Sequence, residues 1–170
     1  MAATASHLIL VTPARLQMEK YVEASSRNDV AAIRTIIATQ FECMDWEPGR
    51  PADWSRFASL FFQNTTLIPA ARPARRQTVE EFIERMKGLE EKGRLRTFRE
   101  RMLGSTIHVF GNIAVAIAAC EMTENEEAVT RDVSGFLFIR DDKEWLIAGQ
   151  AWDLETSVKA IPADLASAPT

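Results

Sequence analysis

Between Arg94 and Asp153 the chain reads as four consecutive β-strands joined by short turns, three of them apolar on both faces. A strand with one wet face alternates apolar and polar residues, so a strand apolar on both sides belongs to a sheet covered on both sides. The run Ile113–Met122 carries Ile, Val, Ile and Ala on one side and Ala, Ala, Ala and Cys on the other. Val133, Gly135, Leu137 and Ile139 alternate with Ser134, Phe136 and Phe138, and beyond Asp141-Asp142 come Trp145, Ile147, Ala148 and Trp152. One face must meet this chain's own helices; a second copy is expected on the other. Phe110-Gly111-Asn112-Ile113 is a two-residue hairpin signal that sets His108 opposite Val115, Thr106 opposite Ile117 and Met102 opposite Glu121.

Upstream the period is helical. Thr12-Pro13 suits the start of a short helix through about Ala24, and Asn28 or Asp29 suits the cap of the next, in which Val30, Ile33, Ile37, Phe41 and Met44 recur at helical spacing. That helix is expected to end before Glu47-Pro48-Gly49. Asp53 caps a short helix bearing Trp54, Phe57, Leu60 and Phe61, and Thr65–Pro69 follows as a strand. Thr78 with Glu81 forms a capping box opening a helix whose stripe is Val79, Phe82, Ile83, Met86 and Leu89, stopped at Gly93.

This order predicts an α+β fold, a curved, mostly antiparallel sheet wrapped around N-terminal helices as a cone-shaped open barrel. With 170 residues, 46% of them hydrophobic, one core is expected: an extension with a short helix over 1–27, one domain over 28–155 and a tail over 156–170. A net charge of -4 without a long basic run argues against nucleic acid. Two cysteines, Cys43 and Cys120, form no disulfide framework and suit a reducing, cytoplasmic setting. The apolar run Leu8–Val11 is too short for a membrane span. The two histidines lie far apart and no glycine-rich phosphate loop occurs, so neither metal nor cofactor is expected.

Trp54–Phe62 leading into Thr65-Thr66-Leu67-Ile68-Pro69, the helix Thr78–Leu89, the turn Phe110–Ala114, and Glu144-Trp145-Leu146-Ile147 through Ala151-Trp152 resemble the nuclear-transport-factor-2-like superfamily. Its SnoaL-like and ketosteroid-isomerase-like members have the cystatin-like fold, and the resemblance runs from about Asp29 to Asp153. It implies a pocket between the helices and the concave sheet face, a small apolar or aromatic ligand, and a homodimer through the convex face.

In ketosteroid isomerases of this superfamily the general base immediately precedes the proline closing the first strand; that place is Ile68, which has no lone pair. The oxyanion-stabilising acid, counted back from Trp152, falls at Gly135. Epoxide hydrolases of the fold place Arg and Asp two apart on a strand, whereas Arg131 and Asp132 are adjacent and face opposite ways. Scytalone-type dehydratases need paired histidines and tyrosines, and this chain has His7, His108 and Tyr21. None of the three sets is reproduced.

What remains for catalysis is a single acid/base residue, with Asp132, His108 and Glu121 as alternatives rather than a set. By the hairpin register Glu121 lies about 20 Å from His108, too far for a dyad. Arg131 opposes Asp153 in one register of the last hairpin; in the other Asp132 does, bringing two carboxyls together and raising one pKa. Candidate pocket residues are Trp54, Phe57, Ile68, Gly135, Gln150 and Trp152, the last two sharing a face with Ala148. Three functions stay open: small-molecule binding, a SnoaL-like lyase, isomerase or cyclase, and a non-catalytic subunit like a ring-hydroxylating dioxygenase beta chain.

Overall fold

The computed structural model describes residues 13–70 and 73–166, with side chains from residue 26 onward. His7, the run Leu8–Val11, the Thr12 cap, Arg72 and the last four residues lie outside them. α1 spans Pro13–Cys43, α2 Trp54–Ser59 and α3 Val79–Glu91. The strands are β1 Phe61–Pro69, β2 Gln77–Thr78, β3 Phe98–Phe110, β4 Ile113–Glu124, β5 Ala128–Asp141 and β6 Glu144–Leu154. They form one open sheet in the order β2-β1-β6-β5-β4-β3, antiparallel throughout except for the β1–β6 pair. The expected α+β architecture is the observed one. No helix among the described residues is long and apolar enough to cross a membrane.

Local chemistry accounts for the short helices. The Asp53 carboxylate accepts from the Arg56 amide at 3.0 Å to cap α2. At α3 the Thr78 hydroxyl accepts from the Glu81 amide while the Glu81 carboxylate accepts from the Thr78 amide, closing the capping box. Gly93, at φ +65°, takes the left-handed conformation just beyond the helix.

The first helix differs from expectation. A single α1 runs through Asn28 and Asp29, so neither residue caps a helix start. The Asp29 carboxylate has another use: it accepts from the Trp145 indole at 3.1 Å and pairs with Arg140, tying α1 to β6 and β5.

The core lies between α1, α2, α3 and the concave sheet face. Ile33, Ile37 and Phe41 of α1 are buried in one core with Ala114, Ala116 and Ala118 of β4, and the helix lies mainly along β3. Trp46 is buried between Trp54 and Phe98, and its indole donates to the Leu95 carbonyl.

Two β-bulges decide which side chains reach the concave face. The β3–β4 register begins as expected, with Phe110 opposite Ile113, His108 opposite Val115 and Thr106 opposite Ile117. It then shifts between Met102 and Gly104, so Met102 faces Cys120 and not Glu121. An unbroken ladder would turn Arg99 and Arg101 toward the apolar interior; the extra residue turns them out and brings Phe98 and Glu100 in. The second shift falls at Ala148, between the pairs Leu137–Gly149 and Phe138–Ile147. It sets Asp153 opposite Val133, so neither Arg131 nor Asp132 faces it. Gln150 and Trp152 therefore share the inward face with Trp145 and Ile147 rather than with Ala148.

Candidate active site

Beneath the helices the concave face closes around a cavity of about 170 Å³. Its walls are apolar: Phe41 and Met44 near the end of α1, Phe57 from α2, Phe82 and Met86 from α3, and Leu67 from β1. Trp152 stands at one side in edge contact with Phe82. The polar groups gather at the sheet end, where Glu100, Asp132, Ser134 and Gln150 project from β3, β5 and β6, with Gln40 coming from α1.

These groups form two linked sets. The Gln40 amide nitrogen donates to Gln150 Oε1 at 2.7 Å, and the Gln150 amide nitrogen donates to the Ser134 hydroxyl at 3.2 Å. Gln40 Oε1 is buried and has no donor. Two residues along β5, Asp132 Oδ1 lies 2.9 Å from Cys120 Sγ, which lies 2.8 Å from Glu100 Oε1. All three residues are buried.

One thiol carries one hydrogen, yet the chain of atoms from Glu100 through Cys120 to Asp132 has two hydrogen-bond gaps. Two protons must occupy it, so one of the two carboxyls is protonated. Burial pushes Glu100 up to about 8, with the charges of Asp132 and Asp45 adding to the shift and the thiol opposing it. Asp132 is also raised, by burial first, and burial raises the Cys120 thiol strongly. With burial holding Glu100 as the acid at neutral pH, its O–H faces sulfur and the thiol donates to Asp132.

The sequence offers no metal pattern, but the fold brings three ligand-type atoms of Glu100, Cys120 and Asp132 within 4.8 Å of one another. Sulfur and oxygen ligands placed tetrahedrally around zinc stand about 3.5 Å apart, from bond lengths of about 2.3 and 2.0 Å. The observed sulfur–oxygen distances of 2.8 and 2.9 Å are shorter and suit shared protons.

Of the three candidate acid/base residues, Asp132 alone lines the cavity. His108 is exposed on the convex face. Glu121 shares that face, six positions along β4 from His108's partner Val115, and is held by Arg101 at 2.6 Å and Arg131 at 2.8 Å. The two arginines keep the Glu121 carboxyl below its ordinary range.

Phe57, Gln150 and Trp152 line the cavity, whereas Trp54, Ile68 and Gly135 do not. Trp54 packs behind Phe57 against Trp46. β1 pairs with β6 so that Leu67 opposite Gln150 points inward, leaving Ile68 out of the cavity. Gly135 lies opposite Ile117 and Ala151 on the convex face, and its inward neighbours are Ser134 and Phe136. Glu100 is absent from the catalytic and pocket residues that the sequence suggests. Its inward position depends on the bulge, which no residue pattern announces.

No protein-family model matches this sequence, and no curated protein does. Solved structures match well. A hexachlorocyclohexane dehydrochlorinase from Novosphingobium barchaimii superposes with a TM-score of 0.62 at 12% identity, over 82% of this chain and 99% of that one. A protein of unknown function with a cystatin-like fold from Nostoc punctiforme gives 0.59 at 12% identity, over 76% and 92%. An NTF-2 like protein of unknown function from Silicibacter pomeroyi gives 0.55 at 15% identity, over 76% and 98%. With its sheet order, its concave cavity and these neighbours, the chain has the cystatin-like fold of the nuclear-transport-factor-2-like proteins.

Proposed function

We propose that this protein binds a small, largely apolar molecule in the cavity of its cone. The observation that carries this reading is a partly open cavity of about 170 Å³ with walls of Phe41, Met44, Phe57, Leu67, Phe82 and Met86 and with Glu100, Asp132, Ser134 and Gln150 at its sheet end. An engineered cavity of about 150 Å³ lined by aliphatic and aromatic residues takes up benzene. The fitting ligand therefore has one ring, or two small fused rings. Calorimetry with toluene, indole and a steroid tests this: the first two should bind and the steroid should not. Steroid binding with no uptake of toluene or indole would defeat it.

A second reading is favoured by the Glu100–Cys120–Asp132 set. An acid and a base joined through a thiol at the end of an apolar cavity can move a proton at neutral pH, the elementary step of lyases and isomerases. Asp132 would take the proton from carbon and then return it to another atom of the ligand or release it to water, while Glu100 keeps its own proton and holds the Cys120 thiol in place. The dehydrochlorinase among the structural neighbours carries an elimination in its name, which is compatible with such a step.

For assembly, we infer a homodimer through the convex face. Ile113, Val115, Ile117 and Leu137 are each 46–54% exposed and adjoin one another across β4 and β5. A patch of β-branched and aliphatic side chains on a flat antiparallel face is self-complementary about a two-fold axis. Charged residues bound it at one end, where Glu121 joins Arg101 and Arg131. Sedimentation should give a dimer, and Ile117→Asp a folded monomer. A wild-type monomer at micromolar concentration would refute the interface.

A further inference from the structure

We propose that the ligand carries a cationic or hydrogen-bond-donating nitrogen, as a small aromatic amine does, seated with that nitrogen at Asp132 and its ring against the cavity's aromatic walls. This rests on the reading of the cavity as a small-molecule site and adds the polarity of the molecule. Three carboxyls line the cavity, Glu100, Glu124 and Asp132, against a single cation, Arg85. Arg85 makes no ion pair with them among the described residues; its guanidinium stands over the Phe82 ring at 5.1 Å. Asp132 is buried, and among the described residues its hydrogen-bond partner is the Cys120 thiol.

A second observation is independent of the carboxyls. Gln40 lines the same cavity, is 2% exposed, and its Oε1 has no donor among the described residues. The Gln40 and Gln150 amide nitrogens each donate within the Gln40–Gln150–Ser134 chain, whereas Gln40 Oε1 accepts from no described residue. A ligand completes such an end by bringing donors. An ammonium does so and also neutralises Asp132, with Phe41 and Trp152 among the residues that line the space around it.

Charged groups elsewhere around the cavity set the pH response. Glu124 lies at the rim, Asp153 adds to the rise of Asp132, and Asp45 to that of Glu100. Ionisation of Glu100 near pH 8 adds a second negative charge and should tighten an ammonium further until the amine itself deprotonates.

The test is calorimetry at pH 7 with benzylamine, benzyl alcohol and benzoate, which share a ring and differ in the polar end. Benzylamine should bind at least tenfold tighter than benzyl alcohol and at least 100-fold tighter than benzoate. Asp132→Asn should bring benzylamine to within threefold of the alcohol, and a circular-dichroism spectrum that matches the wild type's shows that the variant is folded. Equal affinity for amine and alcohol would overturn the proposal and leave the cavity reading standing. Tightest binding of benzoate would overturn it in favour of an anion held by Arg85. Binding of none of the three would overturn both readings.

Discussion

The melting temperature of this protein should fall as pH rises from 5 to 8.5, the reverse of a domain whose carboxylates are salt-bridged. The cause is Glu100, buried beside Cys120 without an ion-pair partner among the described residues, its pKa raised from 4.5 to about 8. Below pH 4.5 both folded and unfolded chains hold its proton, and the group has no effect. Between 4.5 and about 8 the unfolded chain releases the proton while the folded chain keeps it, so the folded state binds more protons and each step up in pH costs stability. Above about 8 the loss levels off. At about 1.4 kcal/mol per pH unit the whole interval amounts to on the order of 3–5 kcal/mol. For a chain of this size that corresponds to a fall in Tm of roughly 10 °C. Asp132, raised in the same direction, adds to it. Glu100→Gln keeps the shape and cannot ionise, so its Tm should change far less over the range and exceed the wild type's at pH 8.5. Parallel pH profiles for the two proteins would show that Glu100 is ionised in the folded state at neutral pH.

Asp132→Asn should abolish the protein's capacity to take a proton from carbon. A suitable probe is 5-nitrobenzisoxazole, a flat bicycle: a base removes the proton at C3, the N–O bond breaks, and a yellow phenolate forms without any other reactant. A carboxylate in a dry, apolar site is a stronger base toward carbon than one in water. The wild type should outpace an equal concentration of acetate by at least about 100-fold, and Asp132→Asn should lose at least about 100-fold, in line with what a positioned base contributes. Glu121→Gln and His108→Gln, on the convex face, should leave the rate unchanged. The rate should rise with pH through the ionisation of Asp132, displaced upward by burial. Equal rates in wild type and Asp132→Asn would remove Asp132 as a base and, with it, the proton-transfer reading.

Much of the fold was legible in the residues because the relevant signals are local. The Thr78–Glu81 box, the Asp53 cap and the Gly111-Asn112 turn each depend on a few neighbouring residues, and all three form as expected. Which side of β4 is covered was not legible, because both sides are apolar; in the structure Ala114, Ala116 and Ala118 are buried and Val115 and Ile117 exposed. The first helix went otherwise because the use of Asp29 was settled by Trp145 and Arg140, more than a hundred residues away.

By itself the sequence determined the container: an α+β cone with helices on one face of a curved sheet, since hydrophobic period and capping chemistry are written along the chain. It also supplied Asp132 as one of three possible acid/base residues. Which of the three lines the cavity, and with what company, only the tertiary structure decided. An added residue in β3 reverses the facing of everything before it, turning Glu100 inward to Cys120, and another at Ala148 does the same in β6 for Gln150 and Trp152. A bulge is stabilised by what both strands and the covering helix gain from the new register, here two arginines kept in water, and that gain is a property of the packed sheet rather than of any segment of it.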